Sequence, residues 1–193
     1  MSTVTVGEAW PASGHPFTVE ELGRMPDDGR RYELLEGTLV VSPRPGMPHQ
    51  VVATRLVLVL GNACPPGLHV VAEPAVQLAK DTEFVPDIAV VGTDQINEAK
   101  CISPPVLAVE VRSPSAALID LNRKKAAYER FGVASYWIVV PDPDSPALIA
   151  FDLHEDHYAE TAHITGDGTY RATRPFPVEI TPANLVAGLR TPG

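Results

Sequence analysis

Two apolar stretches that each carry a single carboxylate constrain this chain of 193 residues more than any other feature. Residues 84–91 read FVPDIAVV and contain Asp87, and residues 106–113 read VLAVEVRS and contain Glu110. Such runs of valine, isoleucine and leucine predict buried strands. Because a buried carboxylate is costly unless it is paired or binds a metal, we expect each of the two acids to have a partner in the folded chain.

A basic helix follows the second strand. Residues 116–131 are predicted to be helical up to Gly132, and i, i+4 spacing places Asp120, Lys124 and Tyr128 on one face of that helix. Two hard oxygen ligands with an ammonium group nearby are typical of a site where a divalent metal assists phosphodiester hydrolysis. The alternative is that both acids lie at strand ends near solvent and that Lys124 is one of several solvated helix charges. The residues alone leave both interpretations open.

The rest of the sequence predicts an α+β architecture of the α/β/α-like kind. Strand and helix patterns with turn residues between them indicate a mixed β-sheet flanked by helices, with an N-terminal hairpin and extra antiparallel strands near the C-terminus. The predicted elements are a helix over 17–22, a hairpin over 31–41 that turns at Glu36-Gly37, a helix over 47–62, strands over 68–72, 75–78 and 135–140, two or three strands over 147–173, and a helix over 181–189.

Length and composition limit the number of domains and the cellular compartment in which the protein is expected. We expect an irregular segment over residues 1–16 and one domain over residues 17–193, since a chain of this length holds a single substantial core. The first fifteen residues lack the pattern of a signal peptide, and the apolar runs are too short to span a bilayer. These features predict a cytoplasmic protein without a membrane segment. The two cysteines are expected to be reduced thiols and are too few for a zinc site.

Net charge argues against simple nucleic-acid binding, although the charge is unevenly distributed. The formal charge is −9 at pH 7, whereas nucleic-acid-binding domains are commonly basic. Residues 131–170 contain seven acids and no lysine or arginine, while residues 112–130 contain five bases and two acids, a net +3. The acidic and basic segments are therefore separated along the chain. This distribution permits DNA as a partner without requiring it.

Six sequence blocks carry a resemblance to a known family. They are YELLEG at 32–37, Pro43 with His49-Gln50, Pro86-Asp87, VEVRSPS at 109–115, Asp120 with Lys124 and Tyr128, and GVASYWIV at 132–139. In order and spacing they resemble the Uma-type restriction endonucleases, small bacterial members of the PD-(D/E)xK nuclease superfamily, over roughly residues 17–190. The resemblance implies a restriction-endonuclease-like core that hydrolyses phosphodiester bonds with Mg²⁺ or Mn²⁺.

The resemblance also implies roles for two acids and one lysine. In the superfamily, the aspartate of the Pro-Asp pair and an acid on the next strand bind the metal, and these positions match Asp87 and Glu110. A lysine commonly stands two residues after the second acid, but this chain has Arg112 there, which keeps the charge without exchanging protons near neutral pH. Family members supply the lysine from the following helix, which indicates Lys124, with Lys125 as the competing candidate.

An acid from the N-terminal region often completes the metal site in this superfamily. Glu33 and Glu36 both match the family block and would point to opposite faces of a strand, so at most one is expected to face the site. We favour Glu36, because Gly37 allows close backbone approach; the alternative is that Glu36 is an ordinary turn residue. His49 is a candidate for positioning water or phosphate, with a polar helix-terminal residue as the alternative. Tyr128 is expected to pack with its hydroxyl towards the site.

These expectations combine into a metal-dependent endonuclease that acts on DNA. Asp87, Glu110 and Glu36 would bind Mg²⁺ or Mn²⁺, and Lys124 would stabilise the attacking water or the phosphate charge. A homodimer is expected because two symmetric sites readily cut two strands. The competing hypothesis is a catalytically weak or inactive nuclease-fold protein that binds nucleic acid or another partner, which Arg112 and the acidic net charge favour.

Overall fold

The computed structural model describes residues 16–96, 99–112 and 118–189. All but Pro16 of the irregular segment expected over residues 1–16 lies outside these ranges, as do the first two residues of the helix expected over 116–131. Among the described residues, no helix is both long and apolar enough to cross a membrane.

The described part of the chain contains four α-helices and twelve strands. The α-helices are α1 (Val19–Leu22), α2 (Met47–Ala63), α3 (Leu118–Arg130) and α4 (Pro182–Val186), with a short 3-10 helix over Thr93–Gln95. The strands are β1 (Arg30–Leu35), β2 (Thr38–Pro43), β3 (Leu68–Ala72), β4 (Val76–Ala79), β5 (Thr82–Phe84), β6 (Ile88–Gly92), β7 (Leu107–Val111), β8 (Ser135–Val140), β9 (Ala147–His154), β10 (His157–Thr165), β11 (Tyr170–Ala172) and β12 (Val178–Ile180).

The strands form two main sheets and a separate hairpin. A six-stranded sheet has the order β10-β9-β8-β7-β6-β3, and a four-stranded sheet has the order β2-β1-β5-β4, while β11 pairs with β12. Strands β7 and β8 are parallel and are connected through α3, whereas the neighbouring pairs β6–β7 and β8–β9 are antiparallel. This mixed α+β arrangement, with helices against the sheets, confirms the predicted fold class.

The six-stranded sheet is covered on both faces. One face packs against α2, α4 and the β11–β12 hairpin, where Leu56 and Trp137 are fully buried. The other face packs against α3 and the four-stranded sheet through an aromatic group of Phe84, Tyr128 and Tyr136. The second face is therefore where α3 meets β1, β5 and β7, and β1 and β7 carry Glu33 and Glu110.

The N-terminal hairpin forms where it was predicted. Strands β1 and β2 pair antiparallel with Leu35 opposite Thr38, and the turn residues Glu36 and Gly37 have φ values of 49° and 74°. Positive φ at both central positions is typical of the two-residue turns that join twisted strands. A Cβ at position 37 would also collide with Pro16, so glycine is required there by space as well as by conformation.

The stretch over residues 84–91, predicted as one strand, is divided between the two main sheets. It contains the end of β5 in the four-stranded sheet and most of β6 in the six-stranded sheet. Pro86 has no N–H to donate to a strand ladder, and the Val85 N–H donates to the carboxylate of Glu33 instead, at 2.9 Å. The prediction of a single strand was wrong for this reason, and the break places Asp87 at the junction of the two sheets.

Helix α2 should tolerate truncation on its outer face but not on its inner face. We expect Leu56→Ala to lower the free energy of unfolding by about 3 kcal/mol, because Leu56 is fully buried and its truncation leaves a cavity. Leu58→Ala lies on the same helix but is 61% exposed, and should change the free energy by less than about 0.5 kcal/mol. Urea denaturation of both variants measures the difference, and equal effects would contradict this orientation of α2.

Candidate active site

Asp87 is held in a fixed orientation at the junction of the two sheets. Its side chain is only 3% exposed, and its Oδ1 accepts a hydrogen bond from Arg31 Nη1 at 2.9 Å. Its Oδ2 accepts from the Val111 N–H at 2.7 Å and lies 3.1 Å from His49 Nε2. Burial favours the protonated acid, but His49, Arg31 and the Val111 N–H together lower the pKa of Asp87 below its usual value. The carboxylate is therefore ionised at neutral pH.

The pairing of β6 with β7 brings Glu110 to the same place. Ile88 lies opposite Val109 at the end of this antiparallel pair, and Asp87 and Glu110 are the residues directly next to them. Burial raises the pKa of Glu110 to about 8; the Lys124 ammonium opposes the rise and the charge of Asp87 adds to it. Below that pH, the Glu110 carboxyl of the metal-free chain carries a proton.

Lys124 is the lysine that contacts the acids. Its buried Nζ donates to Glu33 Oε1 at 2.8 Å and to Glu110 Oε1 at 3.3 Å. One helical turn later, the Tyr128 hydroxyl donates to the same Glu110 oxygen at 3.3 Å, while the Tyr128 ring packs edge-on against Phe84. The predicted i, i+4 relation of Lys124 and Tyr128 thus brings both polar groups to Glu110.

The other two basic candidates are placed differently. The Nζ of Lys125 lies 3.7 Å from the centre of the Phe151 ring, a cation–π contact on the flank of α3. Arg112 is half-buried just beyond the end of β7, and its N–H donates to the Val139 carbonyl at 2.7 Å. Of the two lysines considered, Lys124 is the one beside the carboxylates. Its catalytic role stays a prediction.

The hairpin acid in this cluster is Glu33, and not Glu36 as expected. Glu33 is buried on β1, where its Oε1 accepts from Lys124 and from the Val85 N–H. Glu36 lies in the turn after β1, is 57% exposed and forms an ion pair with Arg130 at 2.6 Å. Strand alternation directs Glu33 to the buried face, whereas the turn carries Glu36 out to solvent. Glu33 is therefore the hairpin acid that contacts Lys124.

Two further residues complete the surroundings of Asp87. His49, in the first turn of α2, is nearly buried, and its Nδ1 has no hydrogen-bond partner among the described residues. Arg31 was not identified from the sequence, although it precedes the YELLEG block and lies two residues before Glu33, which places both on one face of β1. The alternation of side chains along β1 is the sequence signal that could have identified Arg31.

The residues suit a divalent cation by their chemistry. Mg²⁺ sites use one or two carboxylates, with water and substrate oxygens as the remaining ligands. Asp87 and Glu110 supply two hard oxygen donors, and a cation beside Glu110 would restore the ionised form that burial disfavours. Within the described residues, no three histidine, cysteine or acidic side chains are arranged to hold a metal ion. A bound ion would therefore depend on water or phosphate to complete its coordination.

Comparison with known proteins defines the family. The model of the family described as "Uma2: Putative restriction endonuclease" matches residues 19–186, so the chain belongs to that family. The match spans the hairpin, both acid-bearing strands and α3. It confirms the resemblance found from the six sequence blocks. No curated protein sequence matches the chain.

A solved structure shares the fold. It is described as the crystal structure of "a putative nuclease belonging to DUF820 from Anabaena variabilis ATCC 29413". The two chains superpose with a TM-score of 0.70 at 18% identity, over 89% of this chain and 98% of the other. At this level of identity the likeness establishes the fold, and the activity has to be argued from the site.

Proposed function

We propose that the chain is a metal-dependent endonuclease that hydrolyses phosphodiester bonds of DNA in the bacterial cytoplasm. Membership of the Uma2 family and the nuclease-like fold support a nuclease. One observation carries the proposal further: Asp87, directly before β6, and Glu110, on the neighbouring strand β7, are both buried, and the ammonium group of Lys124 donates to Glu110. Buried carboxylates beside a buried lysine are costly to maintain for stability alone.

Each residue of the cluster has a distinct task in this proposal. A bound Mg²⁺ or Mn²⁺ would supply Lewis acidity and a more acidic water ligand. Asp87 and Glu110 would hold it, with Asp87 oriented by the Val111 N–H. Lys124 would donate to the attacking water or to a phosphate oxygen, stabilising negative charge that develops during cleavage. Glu33, which accepts a hydrogen bond from Lys124 at 2.8 Å, would hold the ammonium group in place.

Incubation of the protein with supercoiled plasmid tests the proposal. We expect nicked and linear DNA in the presence of Mn²⁺ or Mg²⁺, and no cleavage after chelation with EDTA. An RNA of the same sequence, incubated in parallel, distinguishes DNA from RNA as substrate. Plasmid that stays supercoiled at millimolar concentrations of both metals would contradict the proposal.

Mn²⁺ should bind more tightly as the pH rises towards 8. The pKa of Glu110 is about 8 in the metal-free chain, so at lower pH the metal has to displace a proton. The apparent Kd should fall about tenfold per pH unit from roughly pH 6 to pH 8 and then level off. Calorimetric titrations in buffers of different ionisation enthalpy measure both the affinity and the released proton. A Kd that does not change with pH would contradict the role of Glu110 as a ligand.

The competing proposal is a nuclease-fold protein that binds nucleic acid without cutting it. Arg112 at the position of the superfamily lysine and the net charge of −9 favour it. It predicts retarded DNA in a gel-shift experiment together with intact plasmid in the cleavage assay. The endonuclease proposal instead predicts cleavage, and a homodimer in sedimentation velocity, because paired sites readily cut both strands.

A further inference from the structure

Arg31 is a largely buried cation beside Asp87 for which the proposed function has no task. Its side chain is 14% exposed, and its Nη1 donates to Asp87 Oδ1 at 2.9 Å and to the Val85 carbonyl at 3.2 Å. Its Nη2 contacts the carboxylate of Glu73. Burial alone would lower the pKa of Arg31, but the charge of Asp87 and its hydrogen bond raise it. The guanidinium is thus held between two acids.

The position of the guanidinium conflicts with a metal ion at Asp87. A carboxylate offers about four acceptor positions. Oδ2 of Asp87 is already used by the Val111 N–H and by His49, so Oδ1 has the most capacity for a further cation. Arg31 occupies that oxygen. It would compete with a divalent ion both for the lone pairs of Oδ1 and through repulsion between like charges.

Glu73 gives the guanidinium a second partner next to the first. The Glu73 N–H donates to the Asp87 carbonyl at 3.1 Å, which fixes the two residues relative to each other. The Glu73 carboxylate is 58% exposed and already contacts Arg31. A rotation about the last torsions of the arginine side chain could therefore move the guanidinium fully onto Glu73 without loss of an ionic partner.

We propose that Arg31 is a positioning residue that serves as the internal counter-cation of Asp87. It neutralises Asp87 while the site is metal-free, competes with an incoming divalent cation, and moves onto Glu73 when that cation binds. This inference rests on the proposed metal-binding function. Arg31 stabilises the metal-free site at a cost in metal affinity, and Glu73 reduces that cost by accepting the displaced guanidinium.

A double-mutant cycle with Mn²⁺ as the probe tests the proposal by calorimetry on the full chain without DNA. We expect Arg31→Gln to bind Mn²⁺ about tenfold more tightly, because one charge-assisted hydrogen bond no longer has to be broken. Glu73→Gln should bind about threefold more weakly, because Arg31 then stays on Asp87. The double variant should bind like Arg31→Gln, since Glu73 acts through Arg31.

Arg30→Gln is the matched control for the loss of one positive charge. Arg30 is the neighbouring residue on β1, is 58% exposed and pairs with Asp28 rather than with the site, so the Mn²⁺ affinity of Arg30→Gln should be unchanged.

Thermal unfolding of Arg31→Gln supplies a second readout. Metal-free Arg31→Gln should melt at a lower temperature than the unaltered chain, and Mn²⁺ should raise its Tm by more.

The outcomes separate this inference from the proposed function. Equal or weaker Mn²⁺ binding by Arg31→Gln would overturn it, because a merely structural arginine predicts that result. If Glu73→Gln weakens binding as much in the Arg31→Gln background as alone, Glu73 acts by its own charge and the transfer is overturned. Should Arg31→Gln fail to fold, unchanged affinity in Glu73→Gln would still overturn it. Absence of Mn²⁺ binding by the unaltered chain would instead overturn the proposed function.

Discussion

Glu110→Gln is expected to lower the rate of Mn²⁺-dependent plasmid cleavage about 10³-fold, because it removes one of two carboxylate ligands. Glutamine keeps the size and shape of the protonated acid, so Lys124 and Tyr128 can still donate to its amide oxygen. The measurement is the initial rate of nicking at saturating Mn²⁺. Glu179→Gln is the matched control, since Glu179 is 65% exposed and pairs with Arg171 on the β11–β12 hairpin.

The same substitution should leave the chain as stable as before or more so. The pKa of Glu110 is raised from 4.5 to about 8 in the folded chain, so between these values the folded state binds more protons than the unfolded state. Stability therefore falls as the pH rises through that window. Glu110→Gln cannot ionise, so its Tm should equal or exceed that of the unaltered chain at pH 8, with a smaller difference at pH 5. A folded Glu110→Gln variant that cleaves normally would contradict the assigned role.

Lys124→Met is expected to reduce cleavage by about 10²-fold or more, since it removes the ammonium group that would stabilise developing charge. It should also destabilise the chain by roughly 2 kcal/mol or more, because Glu33 loses a buried ionic partner. Nicking rates and thermal unfolding measure the two effects separately. A Lys124→Arg variant should restore stability more than cleavage, because the larger planar guanidinium keeps the positive charge but does not place it where the compact ammonium group lies.

Lys125→Met is the control for loss of a lysine from the same helix. Lys125 contacts the Phe151 ring rather than the carboxylates, so its replacement should cost at most about 1 kcal/mol and leave the cleavage rate within about twofold. Normal cleavage by a folded Lys124→Met variant, or a large loss in Lys125→Met, would place the functional lysine elsewhere.

Asp87 and Glu110 could be identified from the sequence because the signal lies in the residues directly around each of them. Asp87 and Glu110 each interrupt an apolar run, and burial of such a residue requires a partner wherever the strand lies. The resemblance to the family indicated Lys124, and the helical repeat placed it on the same face as Tyr128. The hairpin could also be predicted from neighbouring residues, because Glu36-Gly37 specifies the turn.

The errors concern contacts between elements distant in the chain. The site acid of the hairpin depends on how β1 packs against α3, which selects Glu33 and leaves Glu36 in solvent. The break in the stretch over residues 84–91 depends on which sheet each half joins, and Pro86 alone did not reveal that. Arg31 meets Asp87 across 56 residues of sequence, a contact that only the assembled sheets define.

In the proposed site, Asp87 and Glu110 hold one divalent cation between them. Anomalous diffraction from crystals of the metal-free protein soaked in Mn²⁺ would locate that cation. We expect the strongest anomalous peak to lie within coordination distance of both carboxylates, about 2.0–2.4 Å from their oxygens, and to disappear in Glu110→Gln crystals. A strongest peak at other residues, or a Mn²⁺ peak that persists unchanged in Glu110→Gln, would contradict it.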